Sequence, residues 1–151
     1  MSRAERMKKL VELSDKKVED ASLECQQIRS EYQQSVSQLN SLEQYQHEYG
    51  VRLNQPNTEI NATWFKDRMT FLDQLQTAID GQSDVIDHNK TKVEASQEAL
   101  NQQQRNKMAL EKVADKFSQQ EKAEAEQKEQ AAMDDLARIM LVSRQNTQGK
   151  E

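Results

Sequence analysis

The chain has 151 residues and a mass of 17.5 kDa; 31% of its residues are charged, 34% are hydrophobic and 5% are aromatic. Three glycines and one proline provide few turns, which excludes a multi-stranded sheet or a compact bundle of many helices. The net charge of −5 and the isoelectric point of about 5.2 have the wrong sign for general nucleic-acid binding, so no nucleic-acid partner is expected.

No stable membrane insertion is expected either. The longest uncharged apolar run is far shorter than the roughly 20 residues that span a bilayer, and the basic first residues lack the apolar core of a secretory signal. The single cysteine, Cys25, excludes an intramolecular disulfide and fits a reducing compartment.

A heptad repeat opens the chain and predicts a first helix over about residues 3–53. Apolar residues recur at alternating steps of three and four, which places them along one narrow helix face and matches no strand pattern. Heptad position a holds Ala4, Val11, Val18, Cys25, Tyr32, Leu39 and Gln46. Heptad position d holds Met7, Ser14, Ala21, Ile28, Ser35, Leu42 and Tyr49.

The only cluster of helix-breaking residues follows and predicts a turn over about residues 54–61. Pro56 cannot continue a helix, Asn54 suits the left-handed position that ends one, and Asn57 or Asn61 suits the cap of the next. Because the connection is short, the two helices are expected to be antiparallel neighbours.

A second heptad repeat predicts a second helix over about residues 62–142, with a frayed tail at 143–151. Its a row is strongly apolar as far as Leu100, whereas its d row is weak. The a row is Phe65, Leu72, Ile79, Ile86, Val93, Leu100, Lys107 and Ala114. The d row is Arg68, Leu75, Gln82, Asn89, Ser96, Gln103, Leu110 and Phe117.

The two frames together predict an all-α fold: one domain over residues 1–151, folded as a long antiparallel two-helix coiled-coil hairpin. In such a coil each a residue faces a d residue of the other helix, and a fold centred on Asn57 pairs Tyr49 with Phe65 and Leu42 with Leu72. The second helix is then expected to extend past the first by about 45 Å.

Apolar residues outside the a and d rows indicate surfaces for partners. Tyr45 and Phe71 occupy facing g positions near the turn, where they either shield the seam or form a docking patch for a partner. The segment beyond the first helix carries Met133, Leu136, Ile139 and Met140, which either dock on a partner or fray. The basic residues near the N-terminus suit a solvated face better than a membrane-surface helix, since Glu5, Glu12 and Asp15 interrupt them.

Catalytic chemistry is not indicated, and the chain is not expected to be an enzyme or to hold a metal or cofactor. His47 and His88 lie on different helices without metal-ligand spacing, and Cys25 occupies a seam position. No glycine-rich phosphate loop is present in the sequence, and a thin coil lacks the concave pocket that catalysis needs.

With these features, the chain resembles the flagellar FliJ family of the bacterial type III export apparatus. The residues that carry the resemblance fall on both sides of the turn, and the overall plan of two unequal antiparallel helices covers essentially the whole chain. They are Val18-Glu19-Asp20-Ala21; Gln38, Leu42, Tyr45, Gln46, Glu48 and Tyr49; Trp64; and Phe71, Leu75, Ala78 and Ile79.

The resemblance implies a non-enzymatic cytoplasmic stalk or adaptor, peripherally associated with the inner-membrane export apparatus. Its implied partners are the hexameric flagellar export ATPase, into whose ring the coil inserts, the cytoplasmic domain of the membrane export gate, and flagellar export chaperones. The implied gate-binding residues are Gln38, Leu42, Tyr45, Tyr49, Phe71, Leu75 and Ala78. This chain departs from the family pattern at Gln82, where the pattern has histidine.

The implied ATPase-facing end is the end with the free termini. Its candidate contact residues are Met7, Leu10, Val11, Met133, Leu136, Ile139 and Met140. Three alternatives remain open: a stalk of a virulence-type secretion system, a dedicated export chaperone, and a generic coiled-coil tether.

Overall fold

The computed structural model describes residues 2–53 and 62–148, which form two helices, α1 (Arg3–Leu53) and α2 (Ala62–Gln148). The predicted turn at 54–61 and the last three residues lie outside the described residues. The prediction of a frayed tail is wrong for residues 143–148, because α2 continues through them. Within the described ranges the chain contains no strand.

α1 begins with a reciprocal cap that the heptad pattern does not reveal. The Glu5 amide donates to Ser2 Oγ at 3.2 Å, and the Ser2 amide donates to Glu5 Oε2 at 3.3 Å. These two bonds satisfy backbone donors that a helix N-terminus otherwise leaves without partners.

The two helices pack against each other in antiparallel directions along the predicted seam. All the a and d side chains of α1 from residue 4 to residue 49 are buried or half-buried, as are those of α2 from residue 68 to residue 117. Two seam serines, Ser14 and Ser35, are buried, and each hydroxyl donates to a carbonyl of its own helix, at 2.7 Å and 2.6 Å. The all-α two-helix hairpin is therefore confirmed.

The hairpin consists of two compact units. The turn-side unit is Lys17–Gln103, and the terminal unit is Met1–Lys16 with Gln104–Glu151. Both units contain segments of α1 and α2. The single-domain organisation stays a prediction.

The predicted pairing of the helices is wrong by about one heptad. In the turn-side unit, Tyr49 contacts Arg68 and Phe71 instead of Phe65, and Cys25 contacts Gln97. Phe65 has no opposite residue on α1 in this register and is 48% exposed. The heptad pattern finds the rows but not their offset, because every shift by seven residues again places a opposite d.

α2 continues beyond its last contact with α1 inside the terminal unit. The Ala4 amide donates to Glu121 Oε1 at 3.2 Å, and every described side chain from residue 122 to residue 148 is exposed. We call residues 122–148 the overhang. Its Ala, Glu, Gln and Lys residues favour helix intrinsically, and Gln130 donates to Asp134 one turn later at 3.2 Å.

Candidate partner-docking surfaces

Three rings meet on the flank of the turn-side unit, and we call Tyr45, Tyr49 and Phe71 the aromatic cluster. The Tyr49 and Phe71 centroids are 4.9 Å apart, and the Tyr45 and Phe71 rings pack edge to face at 6.2 Å. Tyr49 is buried, Phe71 is half-buried and Tyr45 is 47% exposed. The cluster therefore has a buried base in the seam and an exposed outer ring, the arrangement expected of an interface anchor.

Arg68 braces the base of this cluster from α2. Its guanidinium donates to the Tyr49 hydroxyl at 2.9 Å and lies 5.5 Å from the Tyr49 ring and 5.1 Å from the Trp64 ring. A planar cation between two aromatic faces restricts both rings. This hydrogen bond also replaces the one that the Tyr49 hydroxyl gives up with water when Tyr49 is buried.

A shallow groove of about 600 Å³ runs beside Tyr45 on the same unit. Its lining combines an apolar part with uncharged polar side chains and contains no ionised group. It is formed by Gln34, Ser37, Gln38, Ser41, Leu42, Tyr45 and Gln82. The amide of Gln82 donates to the Ser35 carbonyl at 2.8 Å and to Gln38 Oε1 at 3.2 Å, so it forms one wall of the groove.

The residues predicted to bind the export gate differ widely in how much surface they offer. Gln38, Tyr45 and Ala78 are exposed, whereas Leu75 is only 8% exposed and belongs to the seam with Tyr49. Leu42 and Phe71, the remaining two predicted residues, are half-buried. Gate binding by these residues stays a prediction, and the exposed members are the ones that a partner could contact without opening the hairpin.

The residues predicted for the ATPase end lie on separate stretches of the terminal unit. Met7 and Val11 are half-buried in the seam, and Leu10 is exposed beside them. On the overhang, all of the predicted residues are more than half exposed: Met133, Leu136, Ile139 and Met140. Along α2, Met133 lies about 18 Å beyond Glu121, the contact of Ala4, so the two sets do not form one patch.

An ion pair crosses the seam of the terminal unit. Lys107 Nζ lies 2.7 Å from Asp15 Oδ1 and 3.8 Å from Glu111 Oε1. The hydrogen bond and charge of Asp15 raise the pKa of Lys107 above its ordinary value of 10.5. This pair explains how a lysine occupies a seam position, since its ammonium reaches the solvated edge where carboxylates receive it.

Among residues 2–53 and 62–148, no three metal-ligating side chains come together. The Cys25 thiol is buried and donates to Gln97 Oε1 at 3.7 Å. Neither helix, over the described residues, has an apolar stretch of the kind that crosses a bilayer.

Sequence reasoning missed the brace at Arg68 and the polar lining of the groove. A charged residue in a d row is a usable signal, because it indicates a hydrogen-bonding partner on the facing helix, here the Tyr49 hydroxyl. Gln34, Ser37 and Ser41 carry no such signal, since polar residues on the outer face of a coil are ordinary.

Comparison with known protein families identifies the family of this chain. A family model described as "Flagellar FliJ protein" matches residues 2–147. No curated protein and no solved structure matches the chain. Because the family model covers nearly the whole hairpin, from the cap of α1 to the end of the overhang, the chain belongs to the flagellar FliJ family and is a component related to flagellar export.

Proposed function

We propose that this protein is a non-enzymatic cytoplasmic adaptor that links the hexameric flagellar export ATPase to the cytoplasmic domain of the membrane export gate. Export chaperones are further partners in this proposal. The observation that carries it is the family match over residues 2–147 together with an exposed aromatic ring anchored in the seam. The protein acts at the inner membrane through these partners.

The aromatic cluster supports the gate-facing role. Tyr45 offers an exposed ring whose position is fixed by Tyr49 and Phe71, so little conformational entropy is lost when a partner covers it. The neighbouring groove offers amides and hydroxyls around an apolar floor, which suits a partner surface with few charges.

The overhang supports the ATPase-facing role. A lone helix whose apolar side chains are all exposed has surface available for a second protein, and the turn-side cluster remains free for the gate. Exposed side chains such as Leu136 and Ile139 are suitable anchors, because burying a large apolar side chain gives about 1.5–3 kcal/mol.

The test is a pull-down and an activity assay with purified export ATPase hexamer and purified gate cytoplasmic domain. The proposal expects the protein to bind both and to stimulate ATP hydrolysis, and expects its gene to restore motility to a non-motile deletion strain. A protein that holds an unfolded export client but leaves ATP hydrolysis unchanged would be a chaperone, and the adaptor proposal would fail.

A further inference from the structure

We infer that one flank of the terminal unit binds the surface of an anionic lipid bilayer. This flank consists of heptad positions c, f and g of α1 from residue 6 to residue 16, with the adjoining c and g positions of α2. We call its exposed side chains the basic flank: Arg6, Lys9, Leu10, Leu13, Lys16, Val113 and Lys116. The inference does not rest on the proposed function, because it needs no other protein.

Five members of the basic flank share one face of α1. They follow one another at steps of one, three or four residues: Arg6, Lys9, Leu10, Leu13 and Lys16. Residues three and four apart are neighbours on a helix surface, and the five extend over about 15 Å of axis. Leu10 is 46% exposed and Leu13 is 52% exposed, so two apolar side chains lie in water among three cations.

α2 extends the basic flank beside Leu10. Asp15 Oδ1 and Lys107 Nζ join the two helices at 2.7 Å. Because the helices are antiparallel, Leu10, five residues before Asp15, lies beside Val113, six residues after Lys107. Val113 is 40% exposed, and Lys116, on the next turn of α2, is also exposed. The apolar strip therefore crosses from one helix to the other and has a cation on each side.

The acidic side chains of the same stretch lie on the opposite flank, at heptad positions b and e. Glu12, Glu111 and Asp115 line a groove of about 600 Å³ there. Asp15 and Glu111 both approach the Lys107 ammonium, at 2.7 Å and 3.8 Å. From residue 6 to residue 16 and from residue 104 to residue 120, no acid occupies position c, f or g. The charges of this unit are therefore sorted by flank.

The three acids that interrupt the basic residues in the sequence do not interrupt them on this surface. Glu5 accepts a hydrogen bond from the Ser2 amide at 3.3 Å in the cap, and Glu12 and Asp15 face the opposite flank. The Debye length at physiological ionic strength is about 8 Å, which is shorter than the diameter of a helix. These acids therefore cancel little of the positive potential over the basic flank.

An anionic bilayer is the partner that this surface fits best. Cations alone would suit any acidic surface, but here Leu10, Leu13 and Val113 lie between them. Leucines flanked by lysine and arginine are typical of helices that lie in the membrane interface, where the apolar side chains enter the acyl boundary and the long cations reach headgroup phosphates. Each basic residue near an anionic surface raises binding about fivefold, so four of them raise it by two to three orders of magnitude.

The first test measures sedimentation of the full chain with vesicles. One vesicle preparation contains equal parts of phosphatidylglycerol and phosphatidylcholine, and the other contains phosphatidylcholine alone. We expect the partition coefficient to be at least tenfold higher for the anionic vesicles at about 0.1 M salt, and the difference to shrink severalfold at about 0.5 M salt. Equal binding to both preparations, or binding to neither, overturns the proposal.

Two double variants with the same loss of charge test the location. Lys9→Gln with Lys16→Gln should lower the partition coefficient for anionic vesicles about twentyfold, because both lysines belong to the basic flank. Lys8→Gln with Lys112→Gln should lower it less than threefold, because both line the groove on the opposite flank. Glutamine keeps helix propensity in each case. Equal losses in the two variants would reveal general attraction of cations and overturn the assignment to this flank.

The apolar contribution separates a bilayer from an acidic protein. Leu13→Gln should lower the partition coefficient about fivefold, whereas Met108→Gln, which alters a 57% exposed side chain on the opposite flank, should change it less than twofold. An unchanged coefficient for Leu13→Gln overturns insertion of this flank into the interface. Failure to bind vesicles, together with weaker binding of the export ATPase by Lys9→Gln with Lys16→Gln, would assign the flank to an acidic protein instead. Failure of the ATPase and gate to bind the unmodified chain counts against the proposed function alone.

Discussion

α2 has one segment that packs in the seam of the turn-side unit and another, the overhang, that packs on nothing in the described part of the chain. The two segments are helical for different reasons. In the seam, Leu75 and Ile79 are buried against α1, so tertiary packing stabilises the helix. In the overhang, every described side chain from residue 122 onward is exposed, and the helix depends on intrinsic propensity and pairs one turn apart, such as Arg138 with Asp135 at 3.4 Å. The difference indicates a stable region that positions an aromatic anchor and a soft region that can adapt to a partner.

Hydrogen exchange should show the largest contrast between these regions. Seam amides around Leu75 open only with the hairpin, whereas amides around Leu136 open with local fraying, because no tertiary contact holds them. We expect exchange to be roughly a thousandfold slower in the seam, measured by mass spectrometry of peptic peptides. Equal protection in both regions would contradict a lone overhang and indicate that it is covered.

Truncation of one leucine in each region compares their energetics. Leu75→Ala should lower the free energy of unfolding by about 2–4 kcal/mol, because it leaves a gap in the seam. Leu136→Ala should change it by less than about 0.5 kcal/mol, because that side chain is already 56% exposed to solvent. Urea unfolding followed by circular dichroism measures both, and similar losses in the two variants would refute the distinction.

The overhang can be tested for function without affecting the seam. Alanine at Met133, Leu136, Ile139 and Met140 keeps helix propensity but removes the exposed apolar surface. We expect ATPase stimulation to fall about tenfold or more while gate binding is unchanged, because a few anchor residues account for most of the binding energy of an interface. Stimulation equal to that of the unmodified protein would show that the overhang is not the ATPase contact.

The smallest effect concerns the ion pair of Asp15 with Lys107. The raised pKa of Lys107 means that the folded chain holds this proton more tightly, so the stabilisation is complete below the unfolded value of 10.5 and is lost as pH rises through the folded pKa. Urea midpoints of the unmodified protein and of Asp15→Asn should therefore differ at neutral pH and converge in strong alkali. A gap that persists unchanged above the Lys107 pKa would mean that the pair is not its cause.

Local patterns were sufficient to predict the two helices and, apart from Phe65, the residues of the seam. Periodicity fixes which face of a helix is buried. The offset between the helices was not predictable from periodicity. Matching apolar residues predicted that Tyr49 pairs with Phe65, whereas in the structure Tyr49 contacts Arg68 and Phe71. Polar contacts across the seam, such as that of Gln82 with the Ser35 carbonyl, belong to the observed register, and their geometry is a tertiary property.

The contacts of the candidate surfaces were likewise only partly predictable from the sequence. The contact between Tyr45 and Phe71 follows from their g positions and was predicted, since long side chains reach across a one-heptad error. The brace at Arg68 and the groove wall at Gln82 could not be predicted, because each depends on the register. The helical extent of the overhang past residue 142 was also missed, since without apolar periodicity only propensity signals it.

The most direct test of the central proposal is the affinity of the gate cytoplasmic domain for a double variant that carries Tyr45→Ala and Phe71→Ala. The matched control is Leu23→Ala with Val85→Ala, which removes two exposed apolar side chains from the same unit outside the aromatic cluster. The account predicts that Kd rises about a hundredfold or more in the first variant and changes less than about threefold in the control, with both remaining helical by circular dichroism. Unchanged affinity in the first variant would contradict the account and show that the aromatic cluster only shields the seam.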